Sequence, residues 1–227
     1  MTLADFRPRA VIFDLDGTLA DNMAWHARAF EAFVARHGLP PVTMELRRRI
    51  DGKRNSEILP MLFGREMTPA ELEQYEDEKE SAYRELSRGG IRAVSGAFEL
   101  LDRLADHGIP VAVATSAPAR NVAFTLRELG LHDRLTRVAR SDEVPRGKPA
   151  PDVYLRAAEL TGVTPDCCLA FEDAPVGVAA ARAAGLPCVA VTTTFTREAF
   201  EQADPPPTEI YMNFEDYLDG PGRWLRG

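Results

Sequence analysis

Two carboxylates one residue apart, Asp14 and Asp16, follow a short apolar run in the stretch VIFDLDGT. Acids beside a buried run are costly unless a cation pairs with them. One carboxylate can attack phosphorus to form an aspartyl-phosphate, while a second carboxyl group protonates the leaving oxygen and then activates water. Side chains two apart in a strand point to the same side, so both can face one substrate. Alone, the two acids could also form a polar turn after a strand; together with the partner groups described next, they predict phosphoryl transfer from a monoester.

A metal ion and a lysine are needed beside such acids. Several carboxylates repel a phosphate dianion, and hard oxygen ligands together with phosphate favour Mg²⁺ as the neutralising cation. Glu172 and Asp173, adjacent at the end of another apolar run, supply further oxygens. Lys148, in the stretch GKPAPD, can balance charge on the transferring group. The sequence thus predicts a magnesium site with Lys148 beside it.

A third group of residues suits phosphate binding. Thr115 ends an apolar run, and Ser116 and Ala117 follow it in the stretch ATSA. A hydroxyl at Thr115 can hold a phosphate oxygen. A helical pattern starting near Pro118 would direct its first amides at the same anion. We expect residues 115–117 to bind the phosphate.

The elements that position these groups are short apolar runs of strand length. Between most of the runs lie helical patterns, which predicts a doubly wound parallel α/β sheet. Ligands bind outside the carboxyl ends of strands in such sheets, so the groups above should meet at one rim. The predicted strands are residues 10–13, 110–114, 135–139, 168–171, 187–191 and, more weakly, 209–212. The predicted helices are residues 98–107, 118–129, 151–160 and 175–184.

One segment, residues 21–88, shows no convincing strand. Its apolar residues recur at helical spacing, and Thr68 to Glu71 form a candidate capping box with a proline in the first turn. We therefore predict a small helical cap domain at 21–88, inserted into a core domain of residues 1–20 and 89–227.

The composition limits the class of partner and the compartment. The net charge is −8, which argues against nucleic-acid or membrane-surface binding, since those roles usually need a basic face. The three cysteines show no disulfide or metal spacing, and all are predicted to be small core residues. The N-terminus lacks the apolar stretch of a signal peptide. We expect a cytoplasmic monomer acting on a small phosphorylated metabolite.

The ordered stretches DLDGT, ATSA, GKPAPD and FEDAPVGVAAARAAG resemble the haloacid dehalogenase superfamily. The resemblance implies a Rossmann-like core, Asp14 as nucleophile and Asp16 as acid/base, with the Asp16 main-chain carbonyl on Mg²⁺. It also implies Asp173 as a metal ligand and Glu172 as a direct or water-mediated one. The second acid, Asp16, makes dehalogenation itself an unexpected activity. Thr115 on phosphate and Lys148 as charge stabiliser complete the implied site.

The insertion after the first motif resembles the cap of the β-phosphoglucomutase-like and sugar-phosphatase branch. ADNMAWHARAF resembles that branch's Asp-Thr-x-x-x-His stretch and implies that His26 faces the cleft between cap and core. DGKRNSEIL resembles a glycine-containing cap loop, with Asn55 where the mutases carry a phosphate-binding arginine and Arg54 one position earlier. KESAY resembles a cap helix that presents Lys79. These four residues are predicted to bind substrate.

Several functions remain open from the sequence. The preferred one is a Mg²⁺-dependent phosphatase acting on a small phosphomonoester such as a phosphosugar. A phosphosugar mutase, an inorganic pyrophosphatase and a non-catalytic binding protein are the alternatives. Simpler interpretations of single residues also exist: His26 as a packing residue and Lys79 as a solvated helix lysine.

Overall fold

Strands and helices alternate through most of the chain, in a computed structural model that describes residues 3–225. Within this range the strands are β1 (Ala10–Phe13), β2 (Ala20–Asp21), β3 (Arg92–Ala93), β4 (Val111–Thr115), β5 (Val138–Arg140), β6 (Cys168–Glu172), β7 (Cys188–Val191) and β8 (Glu209–Tyr211). The α-helices there are α1 (Met23–Arg36), α2 (Met44–Ile50), α3 (Asn55–Phe63), α4 (Pro69–Ser87), α5 (Ala97–Asp106), α6 (Ala119–Glu128), α7 (Asp152–Thr161), α8 (Pro175–Ala183), α9 (Arg197–Glu201) and α10 (Phe214–Asp219).

Six of these strands form a parallel sheet in the order β5-β4-β1-β6-β7-β8. The central strand β1 pairs with β4 on one side and with β6 on the other. The carboxyl ends of β1, β4 and β6 therefore lie side by side at one rim. This order confirms the predicted doubly wound parallel sheet.

Both faces of the sheet are buried, which explains why its strands are apolar throughout rather than alternating. Val11 and Phe13 of β1 join one apolar cluster with leucines of α5. Ala10 and Ile12 point the opposite way and join a second cluster with Val153 of α7. Full burial of a side chain such as Phe13 contributes roughly 2 kcal/mol.

The strand and helix boundaries differ from the predicted ones by a few residues at two informative places. The run at 135–139 starts too early, because β5 begins at Val138 and Leu135 is instead a buried loop residue of the first cluster. Pro118 was predicted inside the first turn of a helix. It has extended backbone (ψ 158°) and precedes α6, which begins at Ala119.

The chain between β2 and β3 forms a helical insertion, residues 23–87, which contains α1 to α4. Members of α1 and α3 such as Phe33 and Leu59 make a third apolar cluster that contains no residue of the main sheet. The predicted capping box is present, because the Thr68 hydroxyl accepts from the Glu71 amide and the Glu71 carboxylate accepts from the Thr68 amide. The predicted boundary at 21–88 stays a prediction. The expectation of no strand in that segment misses Asp21, which ends β2.

The three cysteines are all free thiols. Cys168 and Cys188 are buried as predicted, but Cys167 is only half-buried, since it ends a short turn before β6 rather than lying in the strand. Among residues 3–225, we find no helix that combines the length and the apolar character needed to cross a membrane.

Candidate active site

Asp14 and Asp16 lie directly beyond the carboxyl end of β1. The Asp14 amide donates to the Phe171 carbonyl at 3.0 Å, which extends the pairing with β6 by one residue. Gly17 then turns the chain with a φ of +86°, and a Cβ at this position would lie 2.0 Å from Asp173 Oδ2. Only glycine fits this conformation and this close approach. The turn thus brings the strand end against the carboxylate of Asp173.

Lys148 lies at the centre of the site. Its Nζ donates to Asp14 Oδ1 and to Glu172 Oε1, each at 2.6 Å, and its side chain is 1% exposed. Tyr154 also donates its hydroxyl proton to Glu172 Oε1, at 2.8 Å. Burial lowers the pKa of Lys148, but the charges of Asp14 and Glu172 outweigh it, so the pKa is raised and the amine stays charged.

Three buried carboxylates, Asp14, Glu172 and Asp173, each place one oxygen within 4.8 Å of the others. Burial is the main cause that raises the pKa of Asp173, to about 8, and the charge of Glu172 adds to it. Burial likewise raises the pKa of Asp14, against the opposing charge of Lys148. One lysine is therefore insufficient for three acids. A hard divalent cation such as Mg²⁺ fits this donor set and would relieve the repulsion.

The Asp16 carboxylate has separate surroundings. Asn22 Nδ2 donates to Asp16 Oδ1 at 2.6 Å, and His26 Nε2 lies 3.8 Å from the same oxygen. Burial favours a higher pKa for Asp16, but the nearby imidazole of His26 and the hydrogen bond from the Asn22 amide lower it. Asp16 is not one of the three clustered acids in the described part of the chain. The two acids of the motif thus sit in different electrostatic environments.

Residues 115–117 lie at the rim formed by β4. The Ala117 amide donates to Thr115 Oγ1 at 3.0 Å. A threonine hydroxyl that accepts one bond still has its own proton to donate to an anion. Ser116 behaves differently, because its hydroxyl donates at 2.7 Å to the carbonyl of Gly52 in the helical insertion.

A cleft lies between the rim of the sheet and the helical insertion. The core lines it with predicted site residues, namely Asp14, Asp16, Thr115, Ser116, Ala117, Glu172 and Asp173. The insertion contributes three more predicted residues, His26, Asn55 and Lys79. The structure therefore brings ten of the predicted residues to one cavity, with Lys148 bonded to two of them.

Lys79 is buried in the cleft wall, so it is not the solvated helix lysine of the simpler interpretation. Its Nζ donates to Glu80 Oε1 at 2.7 Å and lies 3.4 Å from His26 Nδ1. The ring of His26 stacks on Tyr83 with centroids 3.8 Å apart. Asn55 Nδ2 also donates to Glu80 Oε1 at 2.7 Å. The insertion thus presents a connected polar wall to the site.

Arg54 lies elsewhere. It is not among the described residues that line the cleft. Its guanidinium donates to the main-chain carbonyls of Ser141 and Pro145 on the core, at 3.2 and 3.3 Å. The expected substrate contact is therefore absent from this arrangement, because the side chain is engaged by the core backbone.

Four polar residues of the site escaped the sequence prediction. Asn22 stands where the resembled Asp-Thr-x-x-x-His stretch has its threonine, and its side-chain amide donates to Asp16. Glu80 is one of many charged residues in α4, and nothing in the sequence distinguishes it from the others. Asn121 of α6, which donates to Glu80 Oε2, belongs to no motif. Tyr154 follows an unremarkable helix start. The position of Asn22 beside the motif was the one usable signal; the others depend on tertiary packing.

A family model of haloacid dehalogenase-like hydrolases matches residues 11–191. The chain belongs to this family. The membership confirms the predicted resemblance and the prediction of a hydrolase. Two curated relatives are similar over most of their length. Protein CbbY of Rhodobacter capsulatus is 36% identical and the match covers 86% of this chain and 91% of that protein. A phosphorylated carbohydrates phosphatase of Thermotoga maritima is 34% identical over 78% of this chain and 82% of its own.

A solved member of the fold supports the architecture. The β-phosphoglucomutase of Clostridium difficile superposes with a TM-score of 0.80 and 22% identity, covering 97% of this chain and all of that one. At this identity the likeness concerns the fold. The haloacid dehalogenase-like hydrolase described here therefore shares both its sheet and its helical insertion with that fold.

Proposed function

We propose that this hydrolase is a Mg²⁺-dependent phosphatase that cleaves a small phosphomonoester of the phosphosugar class through an aspartyl-phosphate. The observation that carries the proposal is the pairing of Lys148 with Asp14 and Glu172 beside the three clustered acids. The Asp14 carboxylate, held by the charged Lys148 beside acids that could bind a metal ion, is suited to attack phosphorus. The helical insertion would act as the cap that closes over the substrate and excludes bulk water.

The first half-reaction transfers the phosphoryl group to the protein. An Asp14 carboxylate oxygen forms a bond to phosphorus while the bond from phosphorus to the ester oxygen breaks. The protonated carboxyl of Asp16 gives its proton to that leaving oxygen, which departs as an alcohol. The phosphate dianion of the bound substrate raises the pKa of Asp16 and so opposes the lowering caused by His26 and Asn22.

The second half-reaction restores the protein. The Asp16 carboxylate takes a proton from water, whose oxygen bonds to the phosphorus of the aspartyl-phosphate as the bond to Asp14 breaks. Inorganic phosphate leaves and both acids return to their starting states. Thr115 donates to a phosphate oxygen and Lys148 balances the charge on the transferring group in both halves.

The metal would be held by the carboxylates of Asp14 and Asp173, by the main-chain carbonyl of Asp16, and by Glu172 directly or through water. When bound, Mg²⁺ neutralises the charge that builds up on the phosphoryl oxygens. The raised pKa values of Asp14 and Asp173 support such a site, because burial first, and then the charge of Glu172, disfavours the charged carboxylates that a bound cation would favour.

The choice of a phosphosugar rests on two observations. The Thermotoga maritima relative is named as a phosphatase of phosphorylated carbohydrates. The cleft wall formed by His26, Asn55 and Lys79 offers donors and acceptors suited to sugar hydroxyls. Asn55 stands where the resembled mutases carry a phosphate-binding arginine, which favours hydrolysis over transfer between two sugar positions. The predicted cytoplasmic location, monomeric state and lack of nucleic-acid or membrane partners stay predictions.

Phosphate release tests the proposal. The purified protein with Mg²⁺ should release phosphate from a panel of sugar phosphates, and D14N should lower the rate by on the order of a thousandfold or more. D14N should keep its thermal transition, so that loss of folding is excluded. Unchanged turnover in D14N would refute the mechanism. Isomerisation of β-glucose 1-phosphate without phosphate release would establish the mutase, and preferred turnover of pyrophosphate would establish the pyrophosphatase.

A further inference from the structure

Arg54 joins the helical insertion to the core without entering the cleft. Its Nη1 donates to the carbonyl of Ser141 at 3.2 Å and its Nη2 donates to the carbonyl of Pro145 at 3.3 Å. Its Nε donates to Glu57 Oε1 at 3.0 Å, which fixes the guanidinium from the insertion side. The side chain is 24% exposed. The partly buried guanidinium, here called the fork, thus bridges Glu57 of the insertion and the core carbonyls of Ser141 and Pro145.

The core segment that Arg54 contacts leads straight to the central lysine. Residues 141–147 run from the end of β5 to Lys148. Gly147, which precedes Lys148, packs under the fork, since a Cβ there would lie 2.9 Å from Arg54 Nε and 3.0 Å from Glu57 Oε1. Contact of this closeness limits where the backbone next to Lys148 can lie.

A second contact reaches the phosphate-binding rim from the same loop of the insertion. The carbonyl of Gly52 accepts from the hydroxyl of Ser116, the residue after Thr115. The Ser116 hydroxyl also lies 3.3 Å from that of Ser141. Residues 52–57 of the insertion therefore touch the segments that carry Thr115 and Lys148.

We propose that Arg54 is a positioning residue that couples closure of the helical insertion to the placement of Lys148. The insertion docks on the core when the Arg54 guanidinium donates to the carbonyls of Ser141 and Pro145. These hydrogen bonds in turn hold the backbone of residues 141–147 in place. The inference rests on the proposed function, because it gives Lys148 a part in turnover. Arg54 itself touches neither the substrate nor the reacting atoms.

The chemistry of arginine suits this task. The planar guanidinium has five donors in fixed directions, so it can serve two carbonyls and one carboxylate at once. A lysine is a single point donor on a flexible stem and can serve only part of this set. Glycine at 147 leaves the space that the fork needs. The two positions therefore act as one contact, and changing either should produce the same loss.

Steady-state kinetics with p-nitrophenyl phosphate and Mg²⁺ tests the coupling. R54A should lower kcat about tenfold with KM changed less than threefold, and R54K should recover part of the loss. G147A should give a similar loss, and the double variant should be no worse than the poorer single one, because both remove one contact. R36A is the matched control: Arg36 is an insertion arginine, 70% exposed, that pairs with Glu78 within the insertion. It should keep wild-type kinetics.

The outcomes separate this inference from the proposed function. If the wild type is active, two results would overturn the coupling and leave the proposed function intact. One is an unchanged kcat in R54A, and the other is fully additive losses of activity in the double variant. If the wild type releases no phosphate, the proposed function fails. Amide hydrogen exchange then tests the contact of Arg54 with residues 141–147 independently of activity. R54A should speed exchange in residues 141–147 relative to wild type and R36A. Equal exchange in all three overturns the inference.

Discussion

At the scale of single residues, Glu172 depends on a glycine in the following helix. A Cβ on Gly177, in the first turn of α8, would lie 1.8 Å from Glu172 Oε1 and 2.0 Å from its Cδ. The same carboxylate accepts from Lys148 and Tyr154 through Oε1, and from the amides of Asp173 and Ala174 through Oε2. No methyl group can enter without displacing Glu172, so Gly177 is required by space rather than by backbone conformation.

G177A should therefore misplace Glu172 and, through it, Lys148. We expect kcat to fall about a hundredfold, since a displacement near 1 Å at a catalytic group can have that effect. The variant should still fold, which circular dichroism would check. Gly220 offers a control, because the atoms nearest to a Cβ there, at 3.3 Å or more, belong to Tyr211 and Asp216, which are not among the described residues that line the cleft. Activity retained by G177A, or lost equally by G220A, would contradict the expectation.

At the scale of elements, Tyr83 connects α4 of the insertion with the core. Asn22 Nδ2 donates to the Tyr83 hydroxyl at 2.7 Å, and that hydroxyl lies 3.2 Å from Thr125 Oγ1 on α6. All three side chains are buried. A buried polar group that loses its partner costs more than the bond contributes, because it is left desolvated.

Y83F should lower the free energy of unfolding by about 1–2 kcal/mol, measured by urea denaturation. In the Y83F background, T125V should lower the free energy of unfolding by less than it does in the wild type. The reason is that Y83F has already left the Thr125 hydroxyl without its Tyr83 partner. The difference, about 0.5–1 kcal/mol, is the coupling of the pair. Strictly additive effects would mean that the contact between Tyr83 and Thr125 contributes nothing to stability.

The same elements explain what the sequence could and could not predict. Strands such as β1 and β6 were predictable, because burial on both faces produces unbroken apolar runs. Asp14, Lys148 and Asp173 were predictable from their place beyond strand ends. The short helices α2 and α3 were missed as separate elements, since their apolar residues face a cluster built with α1. The contacts of Arg54 and Asn121 link the insertion to the core, and no local pattern encodes that docking.

At the scale of the whole molecule, the acidic site works against folding when no metal is present. The pKa of Asp173 is raised to about 8, mainly by burial and then by Glu172, so the folded protein binds this proton more tightly than the unfolded chain does. Such a group stabilises the fold fully below its unfolded pKa of about 4. Its contribution is lost as the pH rises toward 8.

The metal-free protein, prepared with a chelator, should therefore have a Tm about 5 °C lower at pH 8.5 than at pH 6. Saturating Mg²⁺ should reduce this decrease, because the cation favours the charged carboxylates. D173N should flatten part of the curve without any metal, since it removes one of the two acids, Asp14 and Asp173, whose pKa is raised. Parallel Tm curves for the wild type and D173N, measured by differential scanning fluorimetry, would show that Asp173 is not the cause.

The two-stranded ribbon of β2 and β3 has a consequence for how this chain can change. Ala20 pairs with Ala93 and Asp21 with Arg92, so the chain leaves the core and returns to it at adjacent points. A segment with its ends fixed side by side can vary in length at small entropic cost. The length of the insertion can therefore change while the six strands keep their register. Any such change would have to keep the contacts by which Arg54 and Gly52 reach the segments that carry Lys148 and Thr115.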